Sequence, residues 1–341
     1  MKKHVNIPIF IPHLGCPNMC VFCNQRSISG TVRYNREDVR KTIDEALSTV
    51  SPEQEAQIAF FGGSFTGIDR DEMIYLLETG YSYVKSGRIS SIRLSTRPDY
   101  IDAEILDILS RYGVQTIELG LQSMSDRVLA ACKRGHTAEQ GREACRMIKE
   151  RGFELIGQMM IGLPCSTEED EIYTAREICA LGADGARIYP TVIFLDTELA
   201  DMAERGEYTP LSVEAAAARS ASALDVFARA GVRVIRIGLQ ASEALVSGKG
   251  IYGASEYHEA IGELCYGELF RRRIDVAMQG GDYRGKRIKI SVSPRSVSRA
   301  AGLRAANKDY FMRKYGLRGI KISPDAEKTE FDFGISPEEG E

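Results

Sequence analysis

Three cysteines near the N-terminus stand at a spacing that suits an iron–sulfur cluster. Cys16, Cys20 and Cys23 follow the pattern C-x3-C-x2-C. Three thiolates can bind three irons of a 4Fe–4S cubane and leave the fourth iron open to another ligand, which an inert four-cysteine cluster cannot do. If the eight cysteines of the chain were placed at random, this spacing would arise with a probability on the order of 0.5%. The spacing therefore predicts a cluster with one reactive iron.

Two other interpretations of the triplet are a structural zinc site, with His13 as the fourth ligand, and three buried thiols. The remaining cysteines stand alone and are predicted to be small core residues; they are Cys132, Cys145, Cys165, Cys179 and Cys265.

The first two-thirds of the chain alternate short β-rich runs with amphipathic helices, which is typical of β/α units around a parallel sheet. The predicted strands are 5–11, 57–61, 91–95, 116–121, 154–160 and 186–189, and the predicted helices are 37–49, 71–84, 103–112, 139–151, 167–181 and 213–230. Six such units predict an α/β fold, a partial TIM-type (β/α)6 barrel, with an open sheet of another strand order as the alternative. The cysteine triplet follows the first strand, in the loop where such barrels place their active sites.

The pattern changes after residue 230. We predict one more strand at 232–237, a loop at 243–255, a helix at 256–270, strands at 274–278 and 287–293, a helix at 304–315 and a strand at 317–322. The tail, 328–341, is acidic and expected to be loosely ordered. The predicted domains are a barrel (1–240), a C-terminal α+β extension with a basic segment (241–327) and the acidic tail (328–341).

Charge is distributed unevenly along the chain. The net charge is −4, yet residues 284–321 contain 12 Lys and Arg against one acid, so this segment carries +11 and the remainder −15. Its basic residues include Arg284, Arg287, Lys289, Arg295, Arg299 and Arg304. Aromatic residues lie among or beside them in the sequence, namely Tyr283, Tyr310, Phe311 and Tyr315. This composition favours a polyanionic partner such as structured RNA. Two alternatives for the basic segment are a binding site for an acidic small molecule and a solvated face that balances the charge of the acidic barrel.

Residues 5–11 are too few and too broken by Asn6 and Pro8 for a signal peptide, and no apolar run approaches the length of a membrane span. We therefore expect a cytoplasmic protein without a membrane contact, in which disulfides are not formed.

With Phe22 before Cys23 and Gly62-Gly63-Ser64 after the second strand, the chain resembles the radical S-adenosylmethionine (SAM) superfamily. The resemblance implies a 4Fe–4S cluster on Cys16, Cys20 and Cys23 that reductively cleaves SAM to a 5′-deoxyadenosyl radical. It also implies a reductant protein of flavodoxin or ferredoxin type.

The resemblance further implies which residues contact SAM. Phe22 and the turn Gly62-Gly63-Ser64 are implied as cofactor-binding residues, with the backbone of the turn receiving the amino group of SAM. Gln122 is implied at its ribose, and Arg134 pairs with its carboxylate. Gln158 is implied near the ribose, and Gly162 where adenine packs.

Six blocks resemble, in order and spacing, the radical SAM part of the Elongator catalytic subunit: residues 62–65, 96–100, 118–123, 134–137, 159–164 and 188–191. This resemblance covers roughly residues 8–240 and favours RNA, as a tRNA-like substrate. The chain departs from the family pattern at Arg187 and at Gly238-Leu239-Gln240, and it ends before an acetyltransferase domain could follow. Acetyl-CoA chemistry is therefore not expected from these residues.

Substrate contact and a buried scaffold network are equally open for Thr96, Arg97, Asp99 and Glu118, and His136 is expected to support Arg134 or the substrate. A second enzymatic interpretation is an enzyme similar to oxygen-independent coproporphyrinogen oxidase, which shares the Gly-x-Gln-Ser and Gly-Leu-Pro blocks, acting on this or another small acidic substrate. A third is a non-catalytic, cluster-bearing carrier.

Overall fold

Seven parallel strands form the main sheet of the protein. The computed structural model describes residues 3–16, 20–25, 27, 34–51, 53–240, 243–253 and 255–338. The strands are β1 (Lys3–Phe10), β2 (Gln54–Phe61), β3 (Ser91–Thr96), β4 (Val114–Gln122), β5 (Glu154–Ile161), β6 (Gly185–Pro190) and β7 (Arg233–Ile237). They lie in sequence order, each parallel to the next. Among the described residues β1 and β7 do not pair with each other, so the curved sheet is a half-barrel with one open side.

Helices on the outside of the sheet connect the strands. They are α1 (Asp38–Thr49), α2 (Arg70–Lys85), α3 (Ala103–Arg111), α4 (Asp126–Ala131), α5 (Ala138–Glu150), α6 (Glu168–Ala180), α7 (Glu198–Glu204) and α8 (Val213–Ala230). Side-chain caps at Asp69, Asp102, Thr137, Thr167, Thr197 and Ser212 satisfy free amides at the starts of six of them. Because these caps fix where each helix begins, they also fix the length of the preceding loop.

The C-terminal extension forms a second, smaller layer. It contains α9 (Glu243–Ser247), α10 (Ile261–Met278), β8 (Arg287–Val292), α11 (Val297–Ala301), α12 (Ala306–Tyr315), β9 (Gly319–Pro324) and β10 (Phe333–Pro337). β8 is central in a three-stranded sheet, parallel to β9 and antiparallel to β10. Its own core includes Phe270, Ile290 and Phe311, and α10 packs against α8 of the half-barrel.

The predicted α/β fold with a partial TIM-type barrel is confirmed, and the sheet has one strand more than the six-unit barrel that we expected. The predicted strand at 232–237 joins the barrel sheet beside β6. The predicted strand at 274–278 is wrong, because these residues are the last turns of α10. Ile274 and Met278 are buried one helical turn apart, and a five-residue window does not distinguish this spacing from a strand.

The tail is also more ordered than expected, since Phe333–Pro337 forms β10 along β8. In the part of the chain that the structure describes, no helix is both long and apolar enough to cross a bilayer.

Candidate active site

Two adjoining cavities lie at the carboxyl ends of the barrel strands. The inner cavity, of about 110 Å³, is lined by Cys16, Cys20 and Cys23. The outer cavity, of about 370 Å³, adjoins it, and the two share Phe22, Cys23, Gln25, Gly62, Ser95, Gln122 and Gln158 as wall residues. The strand order therefore brings the cysteine loop, the Gly62-Gly63 turn, Gln122 and Gln158 to one edge of the sheet.

The loop that carries Cys16 packs on the turn after β2 through backbone contacts. The amide of His13 donates to the Gly62 carbonyl at 3.0 Å, and the amide of Ser64 donates to the Leu14 carbonyl at 3.0 Å. A Cβ atom at Gly63 would lie 2.3 Å from the Leu14 carbonyl oxygen, closer than atoms can approach. Gly62 has a φ of 97°, in the region that favours glycine. Gly63 is thus required by the approach of the two loops, and Gly62 is favoured by its backbone conformation.

Two arginines point at the thiol of Cys20. Arg134 Nη1 lies 3.2 Å and Arg97 Nη1 3.8 Å from its Sγ. Asp99 holds Arg97 through two hydrogen bonds of 2.9 Å, and a second Arg134 nitrogen, Nη2, donates to the Gly120 carbonyl at 2.6 Å. The guanidinium groups of Arg97 and Arg134 therefore lie against one of the three thiols of the inner cavity.

The other two thiols of the triplet are affected by burial. Burial, followed by the neighbouring cysteines, raises the pKa of Cys16, and it raises the pKa of Cys23 to about 12. Metal binding at this site would therefore release protons from both groups.

Two buried polar atoms at the inner cavity have no hydrogen-bond partner among the described residues, Gln122 Oε1 and Arg134 Nε. The backbone of Gln122 has a φ of 66° and interrupts the register between β4 and β5. A non-glycine residue in this conformation costs free energy, which is accepted most often at functional sites. An unpaired guanidinium nitrogen and an unpaired amide oxygen suit a ligand that carries both an anionic acceptor and a donor. The amino-acid and ribose groups of SAM have this chemistry, so the residues present fit the cofactor.

The polar groups of the barrel interior converge on Glu118. Its carboxylate accepts hydrogen bonds of 2.8 Å from Arg93, Arg187 and Gln158, and its side chain is 1% exposed. Glu118 and Arg187 also line the outer cavity. Glu118 therefore combines the two roles left open by the sequence, since it belongs to a buried network that is also a cavity wall.

Thr96 and Ser64 belong to one buried group of hydroxyls, and Thr96 also lines the inner cavity, whereas Ser64 does not. The hydroxyl of Thr96 bonds to those of Ser64 at 3.0 Å and Thr66 at 2.6 Å. Gly162, which we expected beside adenine, lines neither cavity: its amide donates to Glu171 at 2.6 Å and its carbonyl accepts from Tyr208 at 2.6 Å.

The zinc alternative gains nothing from the structure. His13 Nε2 accepts a hydrogen bond of 3.0 Å from the Gln25 amide. Across residues 3–338, apart from those outside the described ranges, no three His, Cys, Asp or Glu side chains form a group that could hold a single metal ion. A cubane places one iron at each thiolate, so its ligands need to line a common cavity rather than converge on one point.

The outer cavity contains site residues that the sequence prediction missed. Arg236 and Gln240, at and after the end of β7, line it together with Tyr189. Burial raises the pKa of Tyr189, so this phenol stays protonated at neutral pH. The sequence could have indicated Arg236 and Gln240, because they are polar residues at the end of the last barrel strand. That prediction requires β7 to be recognised as part of the barrel sheet.

The basic segment is divided by the structure. Arg287 pairs with Glu338 at 3.2 Å and Arg299 with Glu330 at 2.5 Å, both on the C-terminal tail. Arg284, Lys289, Arg295 and Arg304 are exposed. None of the six lines the inner or the outer cavity.

Comparisons with known families agree with this geometry. The family model described as the Radical SAM superfamily matches residues 10–178, and that described as the Radical_SAM C-terminal domain matches residues 183–270. The chain belongs to the radical SAM superfamily. Membership implies a 4Fe–4S cluster, SAM and a source of electrons, and the protein is a radical SAM enzyme.

Among curated relatives, an uncharacterised protein of Methanocaldococcus jannaschii is 28% identical over 62% of this chain and 68% of its own length. The tRNA uridine(34) acetyltransferase of the same organism is 33% identical, over 38% of this chain and 24% of that protein. Elongator complex protein 3 of Saccharomyces cerevisiae is 32% identical, over 44% of this chain and 27% of that protein. The chain thus matches about a quarter of the length of the latter two proteins.

Among solved structures, archaeal Elp3 of Methanocaldococcus infernus with an N-terminal deletion has a TM-score of 0.64 at 20% sequence identity. The match covers 80% of this chain and 64% of that chain. The likeness shows that the two share a fold.

We predict that Gly63→Ala disturbs the loop that carries Cys16, because the added methyl group would overlap the Leu14 carbonyl. The variant should unfold at a lower temperature than the wild type and bind less iron on anaerobic reconstitution. Gly253→Ala is the matched control, since nothing lies within 4 Å of a Cβ at that position. Equal iron content in the two variants would contradict this account of Gly63.

We also predict an acid-sensitive contribution to stability from His136. Burial, followed by the nearby Arg134, lowers the pKa of His136 to about 3 from the model-compound value of 6.5. Between these two values the unfolded chain binds a proton that the folded protein does not, so the free energy of unfolding falls as pH falls, by at most about 1.4 kcal/mol per pH unit. Urea unfolding at pH 7.5, 6 and 5 should show a shallower pH dependence in His136→Gln. The control is His4→Gln, at an exposed position, which should show the same pH dependence as the wild type. If the free energy of unfolding of His136→Gln changed with pH as steeply as that of the wild type, the prediction would be refuted.

Proposed function

We propose that Cys16, Cys20 and Cys23 hold the 4Fe–4S cluster, that SAM binds in the inner cavity, and that an RNA substrate presents a base to the outer cavity. The observation that carries the first two parts is the inner cavity itself. It combines the three thiols with two unpaired polar atoms, on Gln122 and Arg134.

The residues of the inner cavity act by binding and orientation. Arg134 offers Nε to an anionic group, Gln122 offers its side-chain oxygen to a donor, and the turn at Gly62 and Gly63 allows a ligand to approach the backbone closely. Phe22 lines both cavities and reduces the access of water. When bound, the cluster and SAM would supply the chemistry of hydrogen-atom abstraction, with the electron coming from a reductant.

The outer cavity suits a planar, polar-edged group. Phe10, Phe61 and Phe194 provide apolar walls, while Arg236 and Gln240 provide hydrogen-bonding groups. Nucleobases are recognised in proteins by this combination of stacking surfaces and edge contacts. Two further observations support RNA: the exposed basic residues of the extension, and relatives whose names specify a tRNA uridine acetyltransferase. The electrons are proposed to come from a flavodoxin- or ferredoxin-type protein.

Anaerobic reconstitution should give one 4Fe–4S cluster per chain, and Ala in place of Cys16, Cys20 or Cys23 should abolish reductive SAM cleavage. Iron and sulfide analysis, electron paramagnetic resonance and the yield of 5′-deoxyadenosine measure the two effects. Cys165→Ala is the control, because this exposed thiol lines neither cavity. Stoichiometric zinc without iron, or full SAM cleavage by a triplet variant, would defeat the assignment.

Total tRNA should stimulate SAM cleavage and should itself be covalently modified. Small acidic metabolites, including coproporphyrinogen, should not stimulate the cleavage. Lys289→Ser/Arg304→Ser should weaken tRNA binding. The affinity should also depend less on salt, by roughly 0.7 to 0.9 log units of the binding constant per tenfold change in salt for each lost phosphate contact. The uncoupled SAM cleavage of this variant should be unchanged, since neither residue lines the two cavities.

The matched control for tRNA binding is Arg111→Ser/Arg176→Ser. It also removes two exposed charges, but from the barrel helices α3 and α6. Stimulation by an acidic metabolite and not by tRNA would replace RNA with the small-molecule alternative. SAM that binds but is never cleaved would favour the carrier.

A further inference from the structure

A third cavity, of about 800 Å³, lies in the opening of the half-barrel at the amino ends of its edge strands. We call it the lower cavity. His4 and Asn6 of β1 form one side and residues 233–236 of β7 the other, while Tyr266, Arg295 and Phe331 of the extension line it from outside. None of the cysteines and none of the predicted SAM contacts is among its wall residues. It is therefore a separate compartment from the two described above.

The wall of the lower cavity is strongly basic. Six arginines line it, and among the described residues four carboxylates lie within ion-pair distance of them, so two positive charges remain uncompensated. The arginines are Arg93, Arg187, Arg233, Arg236, Arg295 and Arg299, and the carboxylates are Glu118, Glu154, Glu263 and Glu330. Arginine stays ionised in proteins. The wall charges therefore repel one another, and an anion in the cavity would relieve that repulsion.

Three of these arginines have no ion-pair partner among the described residues: Arg233, Arg236 and Arg295. Arg236 donates to the carbonyls of Gly238 and Leu239, at 3.1 and 3.2 Å, which leaves its charge unneutralised. Planar guanidinium groups present parallel N–H donors that match the oxygens of a phosphate. Several of them around one cavity favour a ligand with more than one negative charge.

The aromatic residues of the lower cavity do not offer a stacking surface. Arg299 covers one face of Tyr266, with its guanidinium carbon 3.6 Å from the ring centroid, and Phe331 stacks with the same ring at 6.1 Å. Arg273 lies 5.5 Å from the Phe331 centroid. Recognition at this site would therefore depend on charge and hydrogen bonding rather than on base stacking.

We propose that the lower cavity is a binding site for phosphate groups, held by Arg233, Arg236 and Arg295. Arg187 and Arg236 line both the lower and the outer cavity, so the bound phosphate adjoins the wall of the outer cavity from the side remote from the cysteines. The proposal does not depend on RNA being the substrate. Phosphate could be supplied by an RNA backbone or by a small phosphorylated ligand, and the experiment separates these sources.

The test measures equilibrium binding of radiolabelled inorganic pyrophosphate to the full chain at low salt. Wild-type protein should bind it, and Arg233→Gln/Arg295→Gln should bind at least tenfold more weakly. The control Arg111→Gln/Arg176→Gln, which removes the same charge from exposed helix positions, should stay within twofold of the wild type. Both changed arginines of the test variant are exposed; a thermal melt checks that it is folded, and Arg233→Lys should recover part of the affinity.

Competition identifies the source of the phosphate. Displacement of pyrophosphate by a short oligoribonucleotide supports an RNA backbone at this site, and displacement only by a mononucleotide supports a small ligand. The proposal is overturned if the double variant binds pyrophosphate as well as its control, or if tricarballylate, a carboxylate of similar charge, binds the wild type as tightly. Either result is independent of whether tRNA stimulates SAM cleavage.

Discussion

The Glu118 carboxylate ties together the interior of the half-barrel. It lies on β4 and binds Arg93 of β3, Gln158 of β5 and Arg187 of β6, so one side chain bridges four adjacent strands. A buried carboxylate is stable only when its lone pairs are satisfied, and loss of Glu118 would leave Arg187 without an ion-pair partner among the described residues. In a closed barrel the interior is filled by packed apolar layers. Here polar bonding replaces them and leaves room for cavities on either side of the network.

This network separates two environments along the barrel axis. On the carboxyl side, thiols and unpaired polar atoms face a small chamber that suits a cluster and an amino-acid-bearing cofactor. On the amino side, arginines without ion-pair partners face a wide space beneath the extension. Arg187 contributes to both, because its guanidinium binds Glu118 and also lines the outer and lower cavities. The proposed SAM chemistry and the proposed anion recognition thus lie at opposite ends of the same opening.

Local patterns in the sequence were sufficient for most of the barrel. Strands and helices of the repeated β/α units follow from periodicity and caps, and the cysteine spacing marks the loop after β1. Contacts between distant residues were not predictable in this way. Whether Thr96 and Glu118 serve scaffold or cavity depends on partners 32 and 69 residues away, Ser64 and Arg187. The excess charge of the basic segment was misleading by itself, because Glu330 and Glu338 return along it on the tail and neutralise part of it.

An open sheet differs mechanically from a closed one. In a closed barrel strand number and stagger fix the radius, whereas a sheet with two free edges can change its curvature by small rotations between neighbouring strands without breaking a ladder. The extension spans the amino ends of β1 and β7 through residues such as Tyr266 and Phe331 and restrains that end. At the carboxyl ends the loop after β1 is joined to the segment after β6, since the Leu199 amide donates to the Val21 carbonyl at 2.8 Å and the Asn24 side chain donates to the Leu195 carbonyl at 3.2 Å. Contacts cross the opening at both ends, so the curvature of the half-barrel is restrained and the cysteine loop is held from two sides, by β2 and by the segment after β6.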